Sequence, residues 1–188
     1  MALAELTTPV TDLPGVGPAR ARALDKLGLK TLGDLLYHLP RQYQDRRQIY
    51  SIAQAPLDEP VCVAAFVAQP PRLSRIRRGL ELVKVQAADE RSILNITFFQ
   101  AYRRDSLRPG EHYIFYGKVE HFGSARQMTN PTVEPAERPV YAGRIIPVYP
   151  LSTGLNNRQL SDWVRFALEH TLTQVPEPLP ETLRRAHQ

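Results

Sequence analysis

Between residues 97 and 110 the sequence reads "TFFQAYRRDSLRPG", so Phe98, Phe99 and Tyr102 are followed at once by Arg103 and Arg104. Soluble proteins usually hide rings and spread charges. Rings beside guanidinium groups form a surface on which a base can stack while a phosphate is neutralised. A second group, "PPRLSRIRRGL", places Arg72, Arg75, Arg77 and Arg78 close together with no acid among them. Their mutual repulsion favours an anionic partner, and arginine can grip a phosphate through two parallel N–H bonds. A third, "LPGVGPARARAL", sets Gly15 and Gly17 ahead of Arg20. The glycines let the backbone approach a phosphate, and the first N–H groups of a following helix can bind it. Such a contact carries no base identity. Each group also has a plainer reading: a core strand with a solvated turn, a solvated charge run, and a tight interhelical turn.

Catalytic chemistry has little support. His38, His112, His121, His170 and His187 are scattered, no pair has metal-ligand spacing, and Cys62 is the single cysteine. Gly117-Lys118 is followed by Val119 and lacks the upstream glycine of a phosphate-binding loop. No nucleotide hydrolysis, metal or cofactor is therefore expected of this chain. Cys62, between Val61 and Val63, reads as an inert buried thiol in a strand. No apolar run approaches 18 residues, and the first residues lack the pattern of a signal peptide. The expectation is a cytoplasmic protein with no membrane partner. The net charge is +5, carried by 20 Arg against 4 Lys, a bias that suits phosphate contact and base stacking.

The elements that must position these groups read as an α+β protein. Residues 12–40 form a helix, a turn and a second helix, the shape of a helix-hairpin-helix. Pro18 suits a first helical position, Gly28 a stop, and Thr31 with Asp34 a near-variant of the capping box. From residue 60 the period changes to two. "VCVAAFVAQPP", the two runs of "LELVKVQAADERSILNITFF" around Asp89, "EHYIFYGKVEHF" and "SARQMTNPTVE" give five strands. A short helix between the third and fourth completes the pattern of a small closed antiparallel barrel. The OB fold, which binds oligonucleotides, is the first candidate and an SH3-like barrel the alternative.

In the OB arrangement Arg72, Arg75, Arg77 and Arg78 lie in the loop between the first two strands. Alternation puts Leu94, Ile96 and Phe98 on one face and Asn95, Thr97 and Phe99 on the other. Phe98 then belongs to the core, while Phe99 and Tyr102 are the rings open to a base. A helix over 156–172, capped by Asn156, carries Leu160, Val164, Leu168 and Leu172 on one stripe. Trp163 and Phe166 widen its apolar face, so it should pack on the barrel or on another domain. The expected division is 1–55 helical, 56–140 barrel, 141–175 extended segment and packing helix, and 176–188 proline-rich linker.

Taken in order, the hairpin-like start, "DLLYHLPRQYQDRR", a barrel containing "FFQ", "QMTNP" and "PVYPLSTGL" resemble the N-terminal region of the RecG family of ATP-dependent DNA helicases. The most specific parts are "PVYPLSTGL" and "DLLYHLPRQYQDR". The resemblance implies an OB-fold wedge domain that grips the branch point of replication forks and Holliday junctions during recombination and repair. It places ATP and Mg in separate motor domains. It implies branched DNA and the family's own helicase domains as partners, and admits a single-stranded-DNA-binding protein as another. Base stacking maps by position to Phe99 and Tyr102, although Gln100 stands where the family has asparagine and Phe98 remains an alternative. Arg72, Arg75, Arg77, Arg78, Lys84, Arg103 and Arg104 become the phosphate contacts, with Gly15, Gly17 and Arg20 as a further one. A protein-interaction module, docking through the Trp163 helix, and an RNA-binding OB domain stay open as alternatives.

Overall fold

The computed structural model describes residues 5–77, 80–123, 125–177 and 184–185. It divides into two compact units, one of Met1–Tyr43 with Pro147–Gln188 and one of Gln44–Ile146. The mixed α+β class expected from the sequence is present. The grouping by compactness joins the first and last segments of the chain, which a linear reading treats apart.

In the second unit, β2 (Ile49–Tyr50), β3 (Pro60–Val67), β4 (Arg72–Arg77), β5 (Leu80–Ala88), β6 (Ile93–Phe98), β7 (His112–Phe122), β8 (Ala125–Thr129) and β9 (Thr132–Pro135) form one sheet. β1 (Gln42–Asp45) and β10 (Ile145–Val148) make a separate two-stranded sheet. Within the large sheet the pairing closes on itself: β3–β5, β5–β6, β6–β8, β8–β7 and β7–β3. All are antiparallel except β6–β8, which is parallel. Each strand of this circuit has two partners, so none presents a bare edge.

The period-two pattern decides what fills the circuit. Val63, Ala65 and Val67 of β3, Val83, Val85 and Ala87 of β5, Leu94, Ile96 and Phe98 of β6, and Tyr113, Phe115 and Val119 of β7 turn inward with Met128. The alternate residues of β5, β6 and β8 face outward. Asp89 fixes the turn between β5 and β6: its carboxylate accepts N–H bonds from Arg91 at 3.0 Å, Ser92 at 2.8 Å and Ile52 at 2.6 Å. Burial pushes the Asp89 pKa up, but these three bonds outweigh it and leave the carboxyl below its usual range.

On the opposite side of β7, Arg46 is buried with its guanidinium 3.6 Å from the Tyr116 ring centroid and 5.5 Å from that of Tyr141. Cys62 lies nearby, and burial pushes its thiol up to about 11. The thiolate is the reactive form, so Cys62 is expected to stay silent to an aromatic disulfide reagent at pH 8 in the folded protein. It should react fully once the chain is unfolded in guanidinium. Rapid native-state reaction, followed by absorbance, would contradict the packing described.

Two strand expectations change. Arg72, Arg75 and Arg77 of the arginine run lie in no loop but in β4, an antiparallel partner of β5, with a register shift between Arg75 and Arg77. The cause is the β-branched and leucine-rich partner strand, which extends past the circuit and offers its edge to residues 72–77. The stretch expected as one fifth strand breaks into β8 and β9, because Asn130 takes a φ of 50° and Pro131 cannot donate to a ladder. β8 then pairs with β6 and β7, while β9 pairs with β7 alone.

The first unit holds α1 (Pro18–Asp25), α2 (Leu32–Tyr37) and α4 (Asn157–Thr171); α3 (Arg103–Ser106) belongs to the second. Thr31 and Asp34 form a full capping box on α2, and Asn156 caps α4 by accepting the Gln159 N–H. α4 packs against α2 within the helical unit, and Leu24, Leu32, Leu35, Leu160, Trp163, Val164 and Ala167 share one core. Its buried stripe is Leu160, Trp163, Val164, Ala167 and Thr171; Leu168 and Leu172 are exposed. Steps of four residues turn about 40° too far on each repeat of a 3.6-residue helix, so the expected line 160–164–168–172 winds off the packed face.

Candidate nucleic-acid interface

Phe98 and Phe99 are neighbours with opposite fates. Phe98 ends β6 inside the core with no exposed surface, while Phe99 is 56% and Tyr102 61% exposed. Alternation turns Phe99 outward, and the chain then leaves the sheet. The N–H groups of Arg103, Arg104 and Asp105 bond to the carbonyls of Gln100, Ala101 and Tyr102, winding residues 100–106 into a turn and the short α3. This local helical path brings Tyr102 out beside the strand end.

Arg103 and Arg104 part company. The Arg103 guanidinium lies 5.5 Å from the Phe98 ring centroid and 5.2 Å from that of Tyr102, linking a core ring to an exposed one. Its Nε is buried with no hydrogen-bond partner among the described residues. Arg104 is exposed, 3.8 Å from the Asp105 carboxylate, in the kind of surface pair that contributes little. Arg103 is thus placed to hold Tyr102, and Arg104 to meet solvent.

The basic residues on the sheet follow from strand register. Arg72 pairs with Lys84, Lys84 with Thr97, and Thr97 with Thr129, so one outward row crosses β4, β5, β6 and β8. The next row is Gln86, Asn95 and Gln127. Both rows except Thr129 line, together with Phe122, an open groove of about 390 Å³ in which no lining residue is acidic. Arg72 also donates to Gln69 at 3.3 Å, and Arg75 lies 3.7 Å from Glu81. The backbone of Arg77 pairs with Leu80, while Arg78 lies outside the described residues.

The groove contains residues to which the sequence reading gave no role. Gln86, Asn95, Thr97 and Gln127 supply amide and hydroxyl groups beside the cations. Phe122, 74% exposed, closes β7 before Gly123. The signal for it was available: β7 buries Tyr113, Phe115 and Val119, so the next outward position at a strand end carries a ring with no core to fill.

The glycine loop belongs to the other unit. Gly15 has a φ of 81°, a conformation glycine adopts without strain, and Gly17 is the N-cap of α1. Arg20 does not extend from this loop but folds over it, donating from Nη1 to the Gly15 carbonyl at 2.5 Å. Trp163, offered above as a docking ring, is buried within its own unit and donates its indole N–H to the Pro14 carbonyl at 3.2 Å.

Fold and site define a mixed α+β domain whose closed strand circuit carries exposed rings and cations on one outer face. The family model for the RecG wedge domain matches residues 10–173. The chain belongs to the RecG wedge domain family. It is 29% identical over 196 residues to the ATP-dependent DNA helicase RecG of Escherichia coli (strain K12), covering 95% of this chain and 28% of that protein. To the ATP-dependent DNA helicase RecG of Acidithiobacillus ferridurans it is 30% identical over 182 residues, covering 95% and 26%. A solved structure of RecG bound to a three-way DNA junction superposes with a TM-score of 0.80 at 26% identity, over 97% of this chain and 25% of that one. The chain therefore spans about a quarter of the length of the relatives it matches.

Proposed function

We propose that this chain is the part of a RecG-like DNA helicase that grips branched DNA and parts its strands at the branch point. We read the strand circuit as an OB-type barrel whose ligand face is β5 and β6. On this reading Phe99 and Tyr102 cap the last base pairs or the first unpaired bases. Arg72, Arg75, Lys84 and Arg104 neutralise phosphates of the separated strands, and Arg77 and Arg78 of the arginine run are proposed for the same role. Arg103 holds Tyr102 in place. The loop at Gly15 and Gly17 offers a phosphate contact on the helical unit, with Arg20 bracing the loop. ATP hydrolysis and translocation belong to helicase domains of the parent protein, and this chain contributes binding energy and geometry.

The observation that carries the reading is the pair of exposed rings at the end of β6, next to a groove that combines Arg72 and Lys84 with no acid. Buried rings or a neutralised groove could not serve a base and a phosphate together. The matched structure was solved with a three-way DNA junction, which makes the same ligand class the natural one to test.

The test is a titration of the chain against a three-way junction, a plain duplex and a single strand, followed by fluorescence anisotropy at several salt concentrations. Tighter binding to the junction than to the duplex is expected. Each phosphate contact should contribute about 0.7–0.9 to the slope of log K against log salt. Arg72→Ala with Lys84→Ala should therefore flatten that slope by about 1.4–1.8. Equal affinity for junction and duplex, or competition by a structured RNA of equal length as effective as the junction, would overturn the assignment.

A further inference from the structure

We infer that Phe122 is a second stacking platform, marking the far end of a single-strand track that begins at Phe99. The inference rests on the functional reading above and extends it from a branch point to a path of defined length.

Phe122 is the most exposed ring in the described part of the barrel unit, at 74%. A lone exposed ring needs no explanation by itself. This one, however, lines the same groove as Arg72, Lys84, Asn95 and Gln127. It is also held in place. Phe122 pairs with Ala125 across a tight turn at Gly123, whose φ of 63° suits glycine. The ring therefore sits at the rim of the groove on a paired strand end.

Register gives the separation of the two ring sites. Ala125, the partner of Phe122, precedes Arg126, which pairs with Leu94. The pairing is parallel, so Ala125 is level with Ile93, and Phe99 lies six positions beyond Ile93. At about 3.4 Å per residue, that is about 20 Å along the sheet. Between the rings lie Asn95 and Thr97, then Lys84 and Arg72 alongside. Rings at both ends, cations and amides between, and no carboxylate among the groove's lining residues suit an extended single strand whose bases stack at each end while its backbone follows the cations. At the rise of about 3.4 Å per nucleotide of a stacked strand, the track holds about six nucleotides, and fewer if the strand is stretched.

The experiment uses labelled dT oligonucleotides of increasing length, and forks bearing dT arms of the same lengths, titrated against the chain by anisotropy. Affinity should rise as the strand grows to about six nucleotides and then level off. Phe122→Ala should remove that rise, about fivefold or more, and leave forks without arms bound as before. Phe122→Trp should restore it. The inference is overturned if Phe122→Ala shows the same length dependence as the parent chain, if the parent shows none, or if the loss is equal for every substrate and Trp fails to restore it. Failure of the branch-point reading is seen separately, as equal affinity for junction and duplex with the Phe99 and Tyr102 rings intact.

Discussion

Phe99→Ala combined with Tyr102→Ala is expected to weaken binding to a three-way junction by about tenfold or more, from the roughly 1–3 kcal/mol that stacking contributes per base. Plain duplex should change by roughly twofold or less, because its affinity comes from phosphate contacts. The folded state should not notice the loss, since both rings are more than half exposed. The Tyr102 part of the effect depends on Arg103, whose guanidinium lies 5.2 Å from that ring. Arg103→Gln should consequently reproduce much of the Tyr102→Ala loss on junctions without an equal fall in the salt slope. Anisotropy titrations of junction and duplex side by side check both statements. A loss of the same size on both substrates would remove the stacking role.

Phe98→Ala is expected to act on the protein alone. Phe98 is fully enclosed among Val83, Ile96, Leu107 and the other inward residues of the circuit, so its truncation leaves a cavity and should cost about 3–5 kcal/mol of stability. Urea unfolding followed by circular dichroism measures this. Phe99→Ala, one residue on, should leave the midpoint nearly unchanged. The adjacent pair is a sharp test of strand parity: a destabilised Phe99→Ala with a silent Phe98→Ala would mean that β6 is turned over, and the stacking assignment would move with it.

That parity was legible in the sequence because it is local. Leu94, Ile96 and Phe98 alternate with Asn95, Thr97 and Phe99, and no partner strand is needed to see which set goes inside. The caps at Thr31 and Asn156 were legible for the same reason, as were the turn at Asp89 and the helix before β7. What escaped depends on partners distant in sequence. β4 becomes a strand only because β5 runs on past the circuit and offers it an edge. The α4 stripe could be narrowed only by knowing that α2 is its neighbour. The groove is the clearest case. Lys84, Asn95 and Gln127 meet because β5, β6 and β8 lie side by side, and β8 reaches β6 by a parallel pairing that no short sequence window announces. Arg46 between Tyr116 and Tyr141 was invisible for the same reason.

The discontinuous helical unit has a consequence for the order in which the chain is built. Residues 44–146 are contiguous, so every strand of the circuit is synthesised before α4. The leucines of α2 must wait for Leu160, Val164 and Ala167, with which they share a core. The strand circuit is therefore complete in sequence while the core of α1 and α2 still lacks its third helix, and those two helices are the last to be covered.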